Sequence, residues 1–184
     1  MINSFSLAIK ESKHGDEYYT PRYAVCVIEP FLKNKFKHIW CPFDTEQSEF
    51  VKVFHENRYD VTYGHIATGQ DFFAYEKPPV GVEVVVSNPP YSLRQDILKR
   101  LYEWNIPFAL TFNMNGLFDS NTRFDLCAKY GVELLIPRGR MHFMNRDVGN
   151  GKLWTSPNFQ TIYVCHNVLS QQIVFTEMNR PKGE

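Results

Sequence analysis

Residues 84–91 read Val-Val-Val-Ser-Asn-Pro-Pro-Tyr, and this stretch decides the fold class. Three consecutive valines predict a β-strand that is buried on both faces, as the strands of parallel sheets are. The two prolines end the strand, because each proline fixes φ and lacks a backbone donor. In open α/β sheets, ligands bind beside the carboxyl ends of the strands. The stretch therefore predicts a parallel sheet with a candidate site at Asn88.

The segments around this strand alternate between helical and extended patterns. Helices are predicted over 22–32, with Thr20 as N-cap, and over 45–57, 93–104 and 120–130. Strands are predicted over 38–43, 60–66, 107–112 and 132–136, and then, with no helices between them, over 140–143, 160–165 and 172–175. The alternation predicts an α/β fold with a mostly parallel sheet, and the last segments predict antiparallel strands at one edge. We expect residues 1–184 to form a single domain.

Composition narrows the class of protein. The chain has 184 residues, of which 43% are apolar and 15% aromatic, as in a packed globular domain and unlike a disordered chain. No apolar run approaches the roughly 20 residues of a membrane span, and the polar start of the chain lacks a signal-peptide core. We therefore expect a soluble intracellular protein that contacts no membrane.

The cysteine spacing argues against a metal site, and the net charge by itself gives no sign of nucleic-acid binding. Cys26, Cys41, Cys127 and Cys165 form no CxxC pair, so we expect no metal site and four buried, reduced thiols. The formal net charge is zero, so charge alone does not predict nucleic-acid binding.

Asn88–Tyr91 combine two hydrogen-bond acceptors with an aromatic ring. Asn88 is extended because it precedes a proline, and no regular ladder uses the Pro89 carbonyl. Two converging acceptors can hold an NH2 group and favour the pyramidal geometry that frees a lone pair delocalised into a base. Tyr91 would stack on a base flipped out of a duplex. The alternative is a plain strand-ending turn, since Asn and Pro are common in turns.

A basic segment over 138–154 is the candidate for contact with a target. From 138 to 152 a single acidic residue, Asp147, stands against the basic residues Arg138, Arg140, Arg146 and Lys152. Such a segment is either a solvated loop or a contact for phosphates. Trp154, beside it, would stack on a base or pack against the protein.

At Asn88–Tyr91 the chain resembles the amino-methyltransferases, above all the N6-adenine DNA methyltransferases, whose catalytic motif is Asp/Asn/Ser-Pro-Pro-Tyr/Phe. Further similarities run in order from residue 16 to 165, and the set is most similar to small bacteriophage and prophage adenine methylases. The resemblance implies a Rossmann-like S-adenosylmethionine-dependent fold and methylation of a flipped adenine in DNA. It also implies a cytoplasmic role in a bacterial host, in restriction-modification or self-marking.

The resemblance assigns roles to individual residues. The implied catalytic residues are Asn88, Pro89, Pro90 and Tyr91. The implied cofactor-binding residues are Tyr19, Thr20, Pro21, Cys41, Pro42, Phe43, Asp44, His65, Asp71 and Phe72. Among these, Asp71 would accept a hydrogen bond from the amino group of the cofactor's adenine, with Phe72 near the ring.

Two departures from the family pattern affect the cofactor. The loop over 40–48, Trp-Cys-Pro-Phe-Asp-Thr-Glu-Gln-Ser, has no glycine where the family's loop is usually glycine-rich, and Asp44 would then meet the cofactor's ammonium. His65 stands near the place of the acidic residue that usually holds the ribose. Methylation of RNA adenine or of a protein glutamine amide stays open, as does a fold retained only for binding. The sequence does not fix the oligomeric state.

Overall fold

The computed structural model describes residues 18–145, 154–155 and 159–181. The helices are α1 (Arg22–Leu32), α2 (Glu49–Glu56), α3 (Arg94–Glu103) and α4 (Asn121–Tyr130). The strands are β1 (Tyr18–Tyr19), β2 (His38–Cys41), β3 (Asp60–Tyr63), β4 (Val84–Ser87), β5 (Phe108–Asn113), β6 (Glu133–Pro137), β7 (Phe143–Asn145), β8 (Trp154–Thr155), β9 (Thr161–His166) and β10 (Ile173–Thr176). Short 3-10 helices cover Ile66–Thr68, Phe72–Ala74 and Tyr91–Leu93.

A seven-stranded sheet in the order β10-β6-β9-β5-β4-β2-β3 forms the centre. All its neighbouring strands are parallel except β9, which is antiparallel to both β5 and β6. The predicted α/β class with a mostly parallel sheet is thus confirmed. The antiparallel strand, however, lies inside the sheet, and the edge strand β10 is parallel to β6. Burial explains the order, because five consecutive residues of β9 are buried whereas β10 alternates between exposed and half-buried residues.

Helices cover both faces of this sheet. Val84 and Val86 pack with α1 and α2, whereas Val85 packs with α3 on the opposite face. The valine run is fully buried because alternate side chains enter two different hydrophobic layers.

The bounds predicted for α1 are confirmed, but its N-cap residue and the start of α2 differ from the prediction. Pro21, not Thr20, is the N-cap of α1, and no side chain caps that end. Helix α2 begins only at Glu49, because Ser48 is its N-cap and accepts a hydrogen bond from the backbone N–H of Phe50 (3.2 Å).

Three further expectations need correction. Strand β3 ends at Tyr63, since His65 caps the following 3-10 helix through Nδ1 and the N–H of Ala67 (3.1 Å). In place of the strand predicted over 140–143, β7 pairs with β1 and β8 in a separate small sheet. Cys26 is exposed, while the other cysteines are buried.

No helix within these described ranges is long and apolar enough to cross a membrane.

Candidate functional site

Ser87, the last residue of β4, and Asn88, which follows it, each form a hydrogen bond with a residue of a different neighbouring element. Ser87 Oγ donates a hydrogen bond to the Asp44 carboxylate in the loop after β2. Thr111 Oγ1 in β5 donates to Asn88 Oδ1 (2.5 Å). Ser87 and Thr111 are fully buried, and Asn88 is half-buried. These bonds hold the strand end and the Asn88 carboxamide in place.

The Pro89–Pro90 turn passes directly into the helix that follows it. Pro89 is buried, and the Pro90 carbonyl accepts a hydrogen bond from the Leu93 N–H (3.1 Å) before α3 begins. Within the described part of the chain no hydrogen bond reaches the Pro89 carbonyl. The rigid turn therefore carries two carbonyl acceptors, Asn88 Oδ1 and Pro89 O, at the carboxyl end of β4.

An aromatic pair stands beside this turn. The half-buried rings of Tyr91 and Phe159 have centroids 6.4 Å apart and an interplanar angle of 82°. Phe159 lies two residues before β9, and Gln160 Nε2 donates to the carbonyls of Pro137 (3.0 Å) and Gly139 (2.5 Å). The segment just before β9 thus contacts both Tyr91, a candidate catalytic residue, and the loop after β6.

Asp44 is a buried carboxylate in the glycine-free loop. It accepts hydrogen bonds from Ser48 Oγ (2.5 Å) and Ser87 Oγ. Burial raises the pKa of Asp44 to about 6, and the two serine bonds only partly oppose this shift. Among the described residues no Lys or Arg forms an ion pair with Asp44, so a cationic ligand would relieve the cost of burying its charge.

The path of this loop is set by backbone bonds to the neighbouring strand end. The Asp44 N–H donates to the Gly64 carbonyl (2.9 Å), and the Gly64 N–H donates to the Cys41 carbonyl (3.1 Å). The bonds continue the β2–β3 pairing beyond both strands. Pro42 is buried, and the fully buried side chain of Cys41 faces α1 and α2, so only the backbone of Cys41 remains for a ligand.

Helix α1 points its N-terminus at the same edge of the sheet. Tyr163 Oη donates to the Ala24 carbonyl in its first turn (3.0 Å), and beyond its far end Lys35 Nζ donates to the Val168 carbonyl (2.7 Å). Thr20 is only 7% exposed, and its hydroxyl has no hydrogen-bond partner among the residues that the structure describes. Uncapped N–H groups and an unsatisfied hydroxyl suit a carboxylate at this place. Tyr19 in β1 leads into this segment.

Asp71 begins the short helix Phe72–Ala74 and accepts a hydrogen bond from the Phe73 N–H through Oδ1 (2.8 Å). Arg100 Nη1 on α3 donates to the Phe73 carbonyl (2.7 Å), so this turn is clamped to the helix that follows the Asn88 turn.

The ring of Phe72 is a core side chain, only 3% exposed. It contacts Trp40, Phe73 and Trp104, and the half-buried ring of Phe43 at a centroid distance of 5.1 Å. Phe43 follows β2 at the carboxyl edge and is the better placed of the two for a ligand. His65 Nδ1 is engaged by the Ala67 N–H.

The basic segment is only partly described. Arg138 Nε donates to both carboxylate oxygens of Glu177 (2.9 Å each), which neutralises its charge. Arg140 is exposed. Arg146 lies outside the described residues, and only the backbone of Trp154 is described, as part of β8.

Sequence reasoning missed three hydroxyl residues of this site: Ser48, Ser87 and Thr111. Thr111 interrupts the apolar run Phe-Ala-Leu-Thr-Phe over 108–112, and Ser87 ends the valine run. A polar residue in a fully buried strand needs a hydrogen-bond partner. This requirement is the sequence signal from which Ser87 and Thr111 could have been identified. In the described ranges no group of three or more His, Cys, Asp or Glu side chains could hold a metal ion.

Comparison with solved structures relates this architecture to known proteins. The M protein of the type I restriction enzyme EcoKI (EC 2.1.1.72) matches with a TM-score of 0.52 and 12% sequence identity, over 96% of this chain and 51% of that one. A modification subunit assigned to a type I restriction enzyme of Vibrio vulnificus YJ016 matches with a TM-score of 0.47 and 10% identity, over 98% of this chain and 50% of that one. No protein-family model and no curated protein sequence matches the chain. The chain spans about half the length of these solved chains and shares the fold of the EcoKI M protein.

Proposed function

We propose that this protein transfers a methyl group from S-adenosylmethionine to the N6 amino group of adenine in DNA. The observation that carries the proposal is the rigid turn at Asn88 and Pro89, with two carbonyl acceptors at the carboxyl end of β4. The Tyr91–Phe159 pair beside it offers an aromatic wall for a base. An adenine held there would have left its duplex stack.

Bound S-adenosylmethionine supplies an electrophilic methyl group on a sulfonium. Asn88 Oδ1 and the Pro89 carbonyl accept the two N6 hydrogens, which turns the nitrogen lone pair toward that methyl. Attack by N6 would balance because the bound cofactor would supply both the methyl group and a sulfur leaving group that keeps the electron pair of the broken bond. The proton on N6 then leaves to water, so the site needs no strong base. Fixed geometry lowers the barrier because the reacting atoms are already aligned.

The donor set at this edge fits the cofactor at three places. Asp44 lacks a basic partner among the described residues and would hold the ammonium. The N-terminus of α1 with Thr20 would hold the carboxylate. Asp71 uses Oδ1 for its cap, which leaves Oδ2 for the adenine amino group. Tyr19, Pro21, Pro42, Phe43 and His65 would contribute surface around these contacts.

The role of Asp71 can be separated from its capping bond. Asp71→Asn keeps an oxygen for the Phe73 N–H but places an NH2 group where the second acceptor stood. We expect cofactor affinity to fall by about 1–3 kcal/mol, because a buried donor of the cofactor loses its acceptor. Calorimetric titration with S-adenosylmethionine measures this change.

The thermal unfolding midpoint of Asp71→Asn should stay near that of the wild type, and DNA affinity measured without cofactor should not change. Asp71→Ala, which removes cap and acceptor together, should weaken the cofactor at least as much. Equal cofactor affinity in all three proteins would contradict the assignment.

DNA is the substrate class that two observations support. The EcoKI M protein, whose fold this chain shares, carries the EC number of the adenine-specific DNA methyltransferases. Gln160 ties the loop containing exposed Arg140 to the segment that carries Phe159, so a basic side chain emerges near the aromatic pair. We propose that Arg140 and Arg146 contact phosphates and that Trp154 contacts the target. Arg138 is the weaker candidate because Glu177 neutralises it.

Changing Arg140 and Arg146 to Ala should lower DNA affinity and flatten its salt dependence. Two lost phosphate contacts reduce the slope of log affinity against log salt by about 1.8. The matched control removes Lys33 and Lys37, two exposed cations at the opposite edge of the sheet, and should keep the wild-type slope. Identical slopes in the arginine and lysine double variants would exclude phosphate contacts by these arginines.

One experiment tests the proposed reaction directly. The protein is incubated with S-adenosylmethionine labelled in its methyl group and with DNA, RNA and protein acceptors in separate reactions. Label in DNA, recovered as N6-methyladenine, is the expected result. Label in RNA or in a glutamine amide would replace DNA as the substrate, and cofactor binding without any transfer would indicate a binding protein.

A further inference from the structure

Thr111 is a buried polar residue to which the proposed reaction assigns no role. It is the fourth residue of β5, is fully buried, and has apolar neighbours at Leu110 and Phe112. Ser87 of β4 pairs with Leu110 of β5 in parallel register, so Asn88 stands opposite Thr111. The Thr111 hydroxyl donates to Asn88 Oδ1 across this pair (2.5 Å).

This bond favours one of the two orientations of the Asn88 carboxamide. A carboxamide has an acceptor end and a donor end of almost the same shape, and an NH2 substrate is held only by the acceptor. Rotating the Asn88 amide by half a turn would bring Nδ2 to Thr111 and leave the hydroxyl proton without an acceptor. In the part of the chain that the structure describes, Asn88 is the one acceptor for this hydroxyl, so that rotation is disfavoured.

We infer that Thr111 is a positioning residue that holds the Asn88 carboxamide with Oδ1 as the acceptor for the substrate amine. A carbonyl oxygen accepts two hydrogen bonds, so donation from Thr111 does not preclude a second bond from the amine. The catalytic meaning of this inference rests on the proposed function. The orientation itself is a property of the protein alone.

A matched pair of substitutions separates the hydroxyl from the shape of the side chain. Thr111→Val removes the hydroxyl at nearly constant shape, and Thr111→Ser retains it. We expect Thr111→Val to slow single-turnover methyl transfer to an adenine-containing DNA about tenfold, the effect of one lost hydrogen bond, with cofactor affinity unchanged. Thr111→Ser should stay within about twofold of the wild-type rate.

The control is Thr161→Val in the neighbouring strand β9. Thr161 is also fully buried, and its hydroxyl has no hydrogen-bond partner among the described residues. The same chemical change at this position should leave the rate unchanged.

A double-mutant cycle tests whether Thr111 acts through Asn88. If it does, adding Thr111→Val to Asn88→Ala should slow the reaction no further, because the carboxamide is already absent. A further tenfold loss in the double variant, or a wild-type rate in Thr111→Val alone, would overturn the inference.

A second readout decides the question even if the protein transfers no methyl group. The side-chain NH2 of Asn88, assigned in NMR spectra with the Asn88→Ala variant, should have an order parameter above about 0.8 in the wild type. In Thr111→Val it should be lower than in the wild type, while Thr111→Ser and Thr161→Val keep the wild-type value. Equal order in Thr111→Val and the wild type would refute the positioning role. Failure of the proposed reaction would appear separately, as absent label in the wild type.

Discussion

Asn88→Ala should slow methyl transfer by about a hundredfold or more while leaving the fold and the affinity for S-adenosylmethionine nearly unchanged. The side chain supplies one of two fixed acceptors that would turn the amine lone pair toward the methyl group. Losing a single preorganised polar group of this kind costs about two to three orders of magnitude in rate. Single-turnover transfer to DNA with saturating cofactor measures the rate of the chemical step, because product release does not contribute to it.

Asn57→Ala provides the control for this prediction. Asn57 ends α2 at the amino edge of the sheet, where its side chain donates to the Val53 carbonyl (2.8 Å). Its removal should leave the transfer rate at the wild-type level. If Asn88→Ala reacts as fast as the wild type, the catalytic site lies elsewhere.

Asp44→Asn should change how stability depends on pH. Burial raises the pKa of Asp44 from 3.8 to about 6, so between these values the folded protein keeps a proton that the unfolded chain releases. The wild-type free energy of unfolding therefore falls, relative to that of Asp44→Asn, as the pH rises from about 4 to about 6. The relative loss should reach about 3 kcal/mol, and little further change from this group is expected above that range.

Denaturant unfolding at a series of pH values measures this difference. Asp60→Asn, which removes an exposed carboxylate at the start of β3, is the matched control and should follow the wild-type curve. Parallel curves for the wild type and Asp44→Asn would contradict the raised pKa of Asp44.

The same group should couple the binding of the cofactor to protons. An ammonium beside Asp44 favours its ionised form, so binding of S-adenosylmethionine between about pH 5 and pH 6 should release a proton. Calorimetry in buffers of different ionisation enthalpy detects this release. Asp44→Asn should abolish it, whereas an equal release in both proteins would place the titrating group elsewhere.

The sequence by itself determined the class of the fold and the position of the candidate turn. The valine run predicted a strand buried on both faces, and Pro89 and Pro90 predicted its end, because these properties depend on the residues themselves. The same holds for α1 and α3, whose apolar periodicity was correctly interpreted. The similarity to bacteriophage adenine methylases stays a prediction, since the EcoKI M protein, whose fold the chain shares, belongs to a restriction enzyme.

Only the tertiary structure decided which side chains meet. Asp44 and Ser87 are 43 residues apart, Thr111 and Asn88 are 23 apart, and Arg138 finds Glu177 at a separation of 39. It also decided that β9 lies between β5 and β6, and that Phe72 belongs to the core. The local sequence pattern indicates whether a residue prefers burial, but it does not indicate which distant residue will lie beside it. That choice depends on strand order and register, which the packing of the whole sheet sets.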